Sequence, residues 1–224
     1  MSCRIRRYGC LGSTQDMARR LIAEEQAVGL VVVADEQTAG RGRRGRAWLS
    51  PEGGLYVSVV LPVDELLPLR ATVAVADALI DFGVPVVAKW PNDVLVDGKK
   101  IAGILIERSG PWDLVGIGIN VESAPLSSAA CVCEYGEGPD SIDRLLGSIL
   151  RRLLELTDGA ACQRYRELLS TLGRTVRVEI GTGAIEGTAI DLDENGGLVV
   201  RCDTDTMTIV AGECSHLDQR VEHV

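Results

Sequence analysis

Histidine is almost missing from this chain: of 224 residues only His216 and His223 are histidines, both near the C-terminus. Two residues so placed make neither a catalytic triad nor a metal cluster. Covalent catalysis through serine or cysteine therefore has no supporting base. The seven cysteines, Cys3, Cys10, Cys131, Cys133, Cys162, Cys202 and Cys214, are an odd set without a Cys-x-x-Cys pair. Their tightest spacing is the Cys-x-Cys of Cys131 and Cys133, which is neither a disulfide framework nor a zinc spacing, so reduced thiols are expected. No GxxxxGK[ST] loop occurs and no GxGxxG follows a strand, which disfavours the common nucleoside-triphosphatase and dinucleotide sites. No apolar run approaches the roughly 20 residues that span a bilayer, and the Met1 to Arg7 start leads into no apolar h-region. The expected location is the cytoplasm, with no membrane partner.

Positive charge is also scarce. Lys and Arg number 23 against 32 Asp and Glu, a net charge of -9. Binding to DNA or RNA by counterion release needs a broad basic face, which this balance disfavours. What basic charge there is gathers in one loop: Gly40, Arg41, Gly42, Arg43, Arg44, Gly45 and Arg46, closed by Trp48. Three glycines allow close backbone approach to an anion, and each guanidinium offers a planar fork of donors to phosphate oxygens. A small polyphosphate ligand fits that chemistry. A solvated connection, or an RGG-like RNA contact, is the alternative. Gln37-Thr38 before the loop and Trp48 after it frame a segment able to fold over a ligand, disordered without it and ordered with it.

With 46% hydrophobic residues the chain has material for one sizeable core and a small second unit. Ser13-Thr14-Gln15-Asp16 approximates a capping box ahead of a helix that runs to about Glu25. Strands are expected at 30–34 and 55–61, the second ended by Pro62, then a mostly buried helix over 66–82 stopped by Gly83. Residues 84–88 read as a strand ending at Lys89. The Trp90-Pro91-Asn92-Asp93 turn follows, and Asp97-Gly98 marks a hairpin between apolar runs. A strand is expected at 114–121 and helices at 141–156 and 160–172, with Gly173 as the stop. Short strands at 175–180, 184–192, 198–202 and 207–210 complete the chain, dividing it near Leu172 into an α/β body and a small all-β unit.

Lys89 sits where a strand enters a rigid turn, a place from which an ammonium can bridge a phosphate and a carboxylate, or else merely snorkel. Gly103, Gly116 and Gly118 lie inside predicted strands, where glycine weakens pairing. Close approach of a flat ligand is one reason for them and a bulge is another. Asn120 ends its strand as a buried carboxamide or as ordinary turn chemistry.

Taken in order, Ser13-Thr14-Gln15, the Glu36 to Trp48 segment, Lys89-Trp90-Pro91-Asn92-Asp93, Lys100-Ile101-Ala102-Gly103-Ile104-Leu105 and Gly116-Ile117-Gly118-Ile119-Asn120-Val121 resemble the biotin protein ligases through nearly the whole chain. The resemblance implies an α+β fold: a class-II-synthetase-like catalytic domain over 1–172 and an SH3-like β-barrel over 173–224. It implies an ATP- and Mg²⁺-dependent ligase that activates biotin as biotinyl-5′-AMP and passes it to a lysine of a biotin carboxyl carrier protein, with a homodimer plausible. Lys89 would neutralise both anions, with Arg43 holding phosphate oxygens beside it. Ser13, Thr14 and Gln37 would line the biotin head group, Gly40 and Arg41 would belong to the closing loop, and Gly103 and Gly118 would leave room for ring and chain. Arg43, Arg46, Trp48, Asn92 and Asn120 would lie with the nucleotide. No carboxylate cluster identifies metal ligands.

Departures from the family pattern are Gln15 where asparagine is usual, and the absence of a Thr-Ser pair near Ser128-Ala129-Ala130-Cys131. The closeness of Ser13 to Met1 leaves no room for an N-terminal winged helix, so repression through such a domain is not expected. A lipoate or octanoate ligase or transferase relative is the runner-up in the same fold. A non-catalytic nucleotide- or RNA-binding module is the reading from another class.

Overall fold

Two sheets organise the chain in the computed structural model, which describes residues 3–23, 28–135, 142–203 and 205–217. The larger has seven strands: β1 (Arg4–Leu11), β2 (Leu30–Gln37), β3 (Gly54–Pro62), β4 (Val87–Lys89), β5 (Asp93–Val96), β6 (Lys99–Ser109) and β7 (Trp112–Asn120). They lie in the order β1-β2-β3-β7-β6-β5-β4. Only β1 and β2 are parallel; every other neighbouring pair is antiparallel. The second sheet has five antiparallel strands, β8 (Thr175–Ile180), β9 (Gly183–Leu192), β10 (Leu198–Cys202), β11 (Asp205–Ile209) and β12 (Glu213–His216), ordered β11-β10-β9-β8-β12.

Helix α1 (Thr14–Ile22) covers one face of the large sheet, where Ala18 and Leu21 pack with Leu30, Val32, Val60 and Leu114. The other face carries α2 (Leu67–Asp81), α3 (Ile142–Glu155) and α4 (Asp158–Leu168), in the main core with Val57, Val59, Val115 and Ile117. Helix α2 is apolar nearly all round because it is sandwiched between the sheet and α3 and α4. Strand β3 is buried on both faces for the same reason, save for Pro62 at its end.

The Asp97-Gly98 hairpin forms as expected, with φ 49° and 75° at its two turn residues, the left-handed pair that matches strand twist. Gly83 closes α2 at φ 83°. Other expectations need correction. Ser13 makes no side-chain capping bond, because its hydroxyl is buried at the start of α1, while Asp16 pairs with Arg19 and Arg41 instead of capping. Helix α4 ends at Leu168, not at Gly173, since Ser170 leaves the helix to donate to Ala88 O at 2.8 Å. Strand β4 is confined to three residues. Glu25, Ser141 and His223 lie outside the described residues.

Strands β1 and β12 were not expected at all. Arg4, Arg6 and Arg7 spoil the apolar pattern of β1, which is an edge strand held by pairing with β2, and β12 is only 4 residues long. The two sheets are tied by Trp90, whose Nε1 donates to Gly196 O at 3.0 Å and whose backbone N–H donates to Thr171 Oγ1 at 3.1 Å.

Candidate functional site

Period-2 alternation decides the floor of the site. Gly103 of β6 pairs directly with Gly118 of β7, and Ser58 of β3 with Gly116, so all three glycines fall on the face that α1 covers. Beyond the N-terminus of α1 that face is open, and a cavity of about 260 Å³ stands over the glycines.

One end of the cavity is polar and held by a hydrogen-bond chain. Ser13, Thr14 and Gln15 are buried there. Gln37 accepts the Thr14 backbone N–H at 2.8 Å through Oε1 and donates to Ser50 Oγ at 2.9 Å through Nε2, which fixes the orientation of its carboxamide. Ser58 Oγ donates to Thr14 Oγ1 at 2.9 Å. Gln15, replacing the usual asparagine, spans the sheet: its Nε2 donates to Leu105 O and Leu114 O, both at 3.2 Å, and its Oε1 is buried without a partner. Hydroxyls and carboxamides together offer both donors and acceptors to a polar ligand.

The basic loop roofs the cavity. Its neck is closed by Trp48 N–H donating to Gly40 O at 2.9 Å and Gly42 N–H donating to Arg46 O at 2.7 Å. A β-carbon on Gly40 would stand 2.4 Å from Trp48 O, so only glycine fits there. The turn itself needs φ 55° at Arg44 and 74° at Gly45. Trp48 lays its indole on the glycine floor, and its Nε1 is buried with no partner.

Each arginine of the loop is aimed by a different element. Arg41 donates to Asp16 at 2.6 Å and to Glu107 at 3.0 Å, and Arg19 bonds the same two carboxylates, closing a four-membered ring of alternating charge. The Asp16 bond holds Arg41 above the ordinary guanidinium pKa. Arg43 donates to Asn92 Oδ1 at 2.9 Å and to Gly212 O at 3.0 Å. Burial pushes its pKa below the ordinary value, partly offset by the charge of Asp93. Arg44 donates to Glu179 O at 2.7 Å and Arg46 to Glu213 Oε1 at 2.6 Å, so the second sheet carries the outer side of the loop.

The remaining expected residues divide. Ser13, Thr14, Gln37 and Arg41 line the cavity, as do Arg43, Arg46 and Trp48 of the loop and Asn92, Gly103, Gly118 and Asn120 of the strands. Asn92 Nδ2 donates to Ile104 O at 2.6 Å and Asn120 Nδ2 to Ala130 O at 3.0 Å, so both carboxamides are held in place. Gly40 lies in the neck, behind Trp48, and does not line the cavity.

Lys89 does not line it either. It stands on β4, one strand farther from the glycine floor than Asp93, and its charge acts on the thiol of Cys214. The lysine that lines the cavity is Lys100, whose Nζ is 2.5 Å from Asp93 Oδ1 and 5.3 Å from the centroid of the Trp48 ring.

The sequence points to Lys89 through its motif and gives Lys100 no role, and strict alternation would set Lys100, three residues from Gly103, on the opposite face. A register shift corrects this: Asp93 pairs with Gly103 but Leu95 pairs with Lys100, so the bulge at Ile101 turns Lys100 onto the glycine face. Its place at the head of the Lys100-Ile101-Ala102-Gly103 motif was the available signal.

Residues 9–122 match the biotin/lipoate A/B protein ligase family, and residues 171–217 match the biotin protein ligase C-terminal domain. The chain is similar to the biotin--[acetyl-CoA-carboxylase] ligase of Mycobacterium tuberculosis, at 34% identity over 92% of this chain and 86% of the relative. It is also similar to the bifunctional ligase/repressor BirA of Bacillus subtilis, at 31% identity over 86% of this chain and 68% of the relative. Among solved structures it superposes on the biotin protein ligase from Aquifex aeolicus in complex with biotin and ATP, with a TM-score of 0.81 and 33% identity, covering 95% of this chain and 97% of that one.

Proposed function

The chain belongs to the biotin/lipoate A/B protein ligase family and is a biotin ligase; we propose that its cavity carries out two half-reactions, with Lys100 as the anion bridge of the first. In that step a carboxylate oxygen of biotin attacks the α-phosphorus of ATP, giving biotinyl-5′-AMP and pyrophosphate. In the second, a carrier-protein lysine amine attacks the activated carbonyl and AMP leaves. The observation that carries this reading is the opposition within one cavity of a hydroxyl and carboxamide end, at Ser13, Thr14 and Gln37, to a cationic end at Lys100 and Arg43.

The chemistry of the first step brings two anions together, so its barrier is mostly electrostatic. Lys100 rests on Asp93 and can exchange that carboxylate for the biotin carboxylate and the α-phosphate. It acts as a charge, not as a covalent nucleophile. Arg43 and Arg46 face the phosphates, with Asn92 and Asn120 set toward the base. Trp48 and the loop above Gly103 and Gly118 exclude water from a hydrolysable mixed anhydride. Arg41 is a positioning residue of that loop through Asp16 and Glu107.

Among the described residues no group of three His, Cys, Asp or Glu side chains is arranged to hold a metal ion. Mg²⁺ would arrive on the nucleotide, whose phosphates and water usually supply most of its ligands. The catalytic unit spans 1–172 and the second unit 173–224, and the protein works as a homodimer in the cytoplasm on a biotin carboxyl carrier protein. No helix among the described residues is long and apolar enough to cross a membrane.

The test is biotin-dependent exchange of pyrophosphate into ATP, followed by the mass of a carrier domain after full turnover. Exchange together with one added biotin supports both half-reactions. Exchange that persists undiminished in Lys100→Ala removes the role given to that lysine.

A further inference from the structure

The Cys-x-Cys pair is not used by the ligase chemistry, yet the fold brings its two thiols together beside the cavity. Cys131 Sγ and Cys133 Sγ are 2.9 Å apart, closer than two non-bonded sulfurs ordinarily sit and within about 1 Å of the ~2.05 Å of a disulfide bond. We propose that Cys131 and Cys133 form a modification site, a dithiol that small-molecule disulfides of the glutathione class oxidise reversibly to an intrachain disulfide.

Exposure and hydrogen bonding assign the two thiols different parts. Cys133 is exposed and Cys131 is buried, so the incoming disulfide meets Cys133 first. Cys133 donates its S–H to Glu122 O at 2.9 Å, and Cys131 donates to the carboxylate of Glu134 at 3.3 Å. Either thiol can instead donate to the other across the 2.9 Å contact, so the two sulfurs and their acceptors form one hydrogen-bonded cluster. Cys133 gives up its proton to solvent and its thiolate attacks one sulfur of the oxidised glutathione, forming a mixed disulfide and releasing one glutathione thiolate, which is protonated in turn. Cys131 then attacks Cys133 Sγ, displacing the second glutathione thiolate, which takes up the proton that Cys131 gives up. Two thiols are oxidised and one external disulfide is reduced to two thiols, so the exchange balances without a metal or a further oxidant.

Burial and the adjoining Cys133 and Glu134 push the Cys131 thiol up to about 12, which makes it unreactive toward oxidants in bulk and reserves it for the internal step. With a single residue between the sulfurs the ring is small, and strained disulfides of this kind belong to the labile, easily reduced class. The pair is therefore suited to reversible modification and not to permanent bracing.

The segment that holds the pair also braces the nucleotide end of the cavity. Ala130 N–H donates to Lys100 O at 3.0 Å, Ala130 O accepts Asn120 Nδ2 at 3.0 Å, and Cys133 N–H donates to Val121 O at 3.0 Å. Ser128 and Ala129 line the cavity itself. Closing the disulfide removes both thiol hydrogen bonds and draws residue 131 toward 133, which shifts the Ala130 carbonyl that positions Asn120. The polar end at α1 is not attached to this segment. Oxidation should therefore raise the KM for ATP about fivefold while the KM for biotin changes less than about twofold. This kinetic consequence rests on the ligase reading; the covalent one does not.

The experiment treats the reduced full chain with oxidised glutathione, quenches and denatures it, alkylates the unfolded chain, and maps the digest by mass. The expected product is one peptide holding both cysteines, two hydrogens lighter, protected from alkylation at both and restored by dithiothreitol. Cys133→Ser, at an exposed position, should leave Cys131 fully alkylated and the reduced activity unchanged. Glutathione retained on Cys133 with no internal link, or Cys131 alkylated after saturating oxidant, overturns the site. An internal link that leaves the KM for ATP unmoved overturns the coupling to the nucleotide end. The mass readout needs no turnover, so failure of the ligase reading would show separately as absent pyrophosphate exchange.

Discussion

Trp48 lies directly on Gly118: a β-carbon built on that glycine would stand 2.5 Å from the indole Nε1 and 2.6 Å from Cε2. The two residues are 70 positions apart and meet only because β7 runs beneath the mouth of the basic loop. Gly118→Ala must displace the indole and raise the floor of the cavity. Biotin-dependent exchange should fall by about tenfold or more, with a shift in tryptophan fluorescence. Gly103→Ala, whose β-carbon would meet the flexible end of Lys100 at 3.1 Å (Cε) and Trp48 Cζ3 at 3.2 Å, contacts that a small shift relieves, should have a smaller effect in the same assays.

Lys100→Ala removes the positive charge that rests on Asp93 inside the cavity. Loss of a charge aimed at the reacting anions is worth roughly 10²- to 10³-fold in rate, and pyrophosphate exchange in the variant should drop by about that factor. Lys89→Ala, outside the cavity, should stay within a few-fold of the unmodified chain. The reverse ranking would return the bridging role to Lys89.

Glu213→Gln removes the charge by which the second sheet holds Arg46 and leaves only a neutral acceptor. The pair is partly exposed, at 61% and 35% of the two side chains, so its worth to stability after solvent screening is under ~1 kcal/mol. The effect belongs instead to loop placement. The KM for ATP should rise several-fold in steady-state kinetics, with the KM for biotin nearly unchanged.

Tyr56 is buried, and burial pushes its phenol up to about 12 while the hydroxyl donates to Pro51 O at 2.7 Å. The folded state therefore keeps a proton that the unfolded chain releases near pH 10. Stability from this group is complete below pH 10 and is lost as pH rises toward 12. Denaturant unfolding of Tyr56→Phe should show a loss of about 1 kcal/mol at neutral pH from the missing hydrogen bond. The steep decline between pH 10 and 12 should flatten in the same variant.

Much of the fold could be read locally. Asp97-Gly98 dictates its own turn, because only residues tolerant of positive φ close a two-residue hairpin. Gly83 ends α2 for a similar reason, and the alternation of β8 and the short apolar run of β10 bracket those strands to the residue. The composition of the 40–48 loop likewise carries its anion chemistry with it, since guanidinium donors and glycine backbone need no distant partner to bind phosphate.

Local chemistry therefore reached the loop, the carboxamides and the glycine floor, but it named Lys89 where the choice of cavity lysine falls on Lys100. That choice depends on a bulge at Ile101, which is a property of how β5 and β6 pair and is invisible to either strand alone. Strand β1 shows the same limit: three arginines hide it in the sequence, and its backbone pairing with β2 makes it a strand. The docking of Arg43, Arg44 and Arg46 on Gly212, Glu179 and Glu213 joins residues more than 130 positions apart. Turn and helix signals are carried by neighbours in the chain, whereas register and cross-strand contact are settled by which surfaces bury one another. Which lysine lines the cavity was left to that second kind of information.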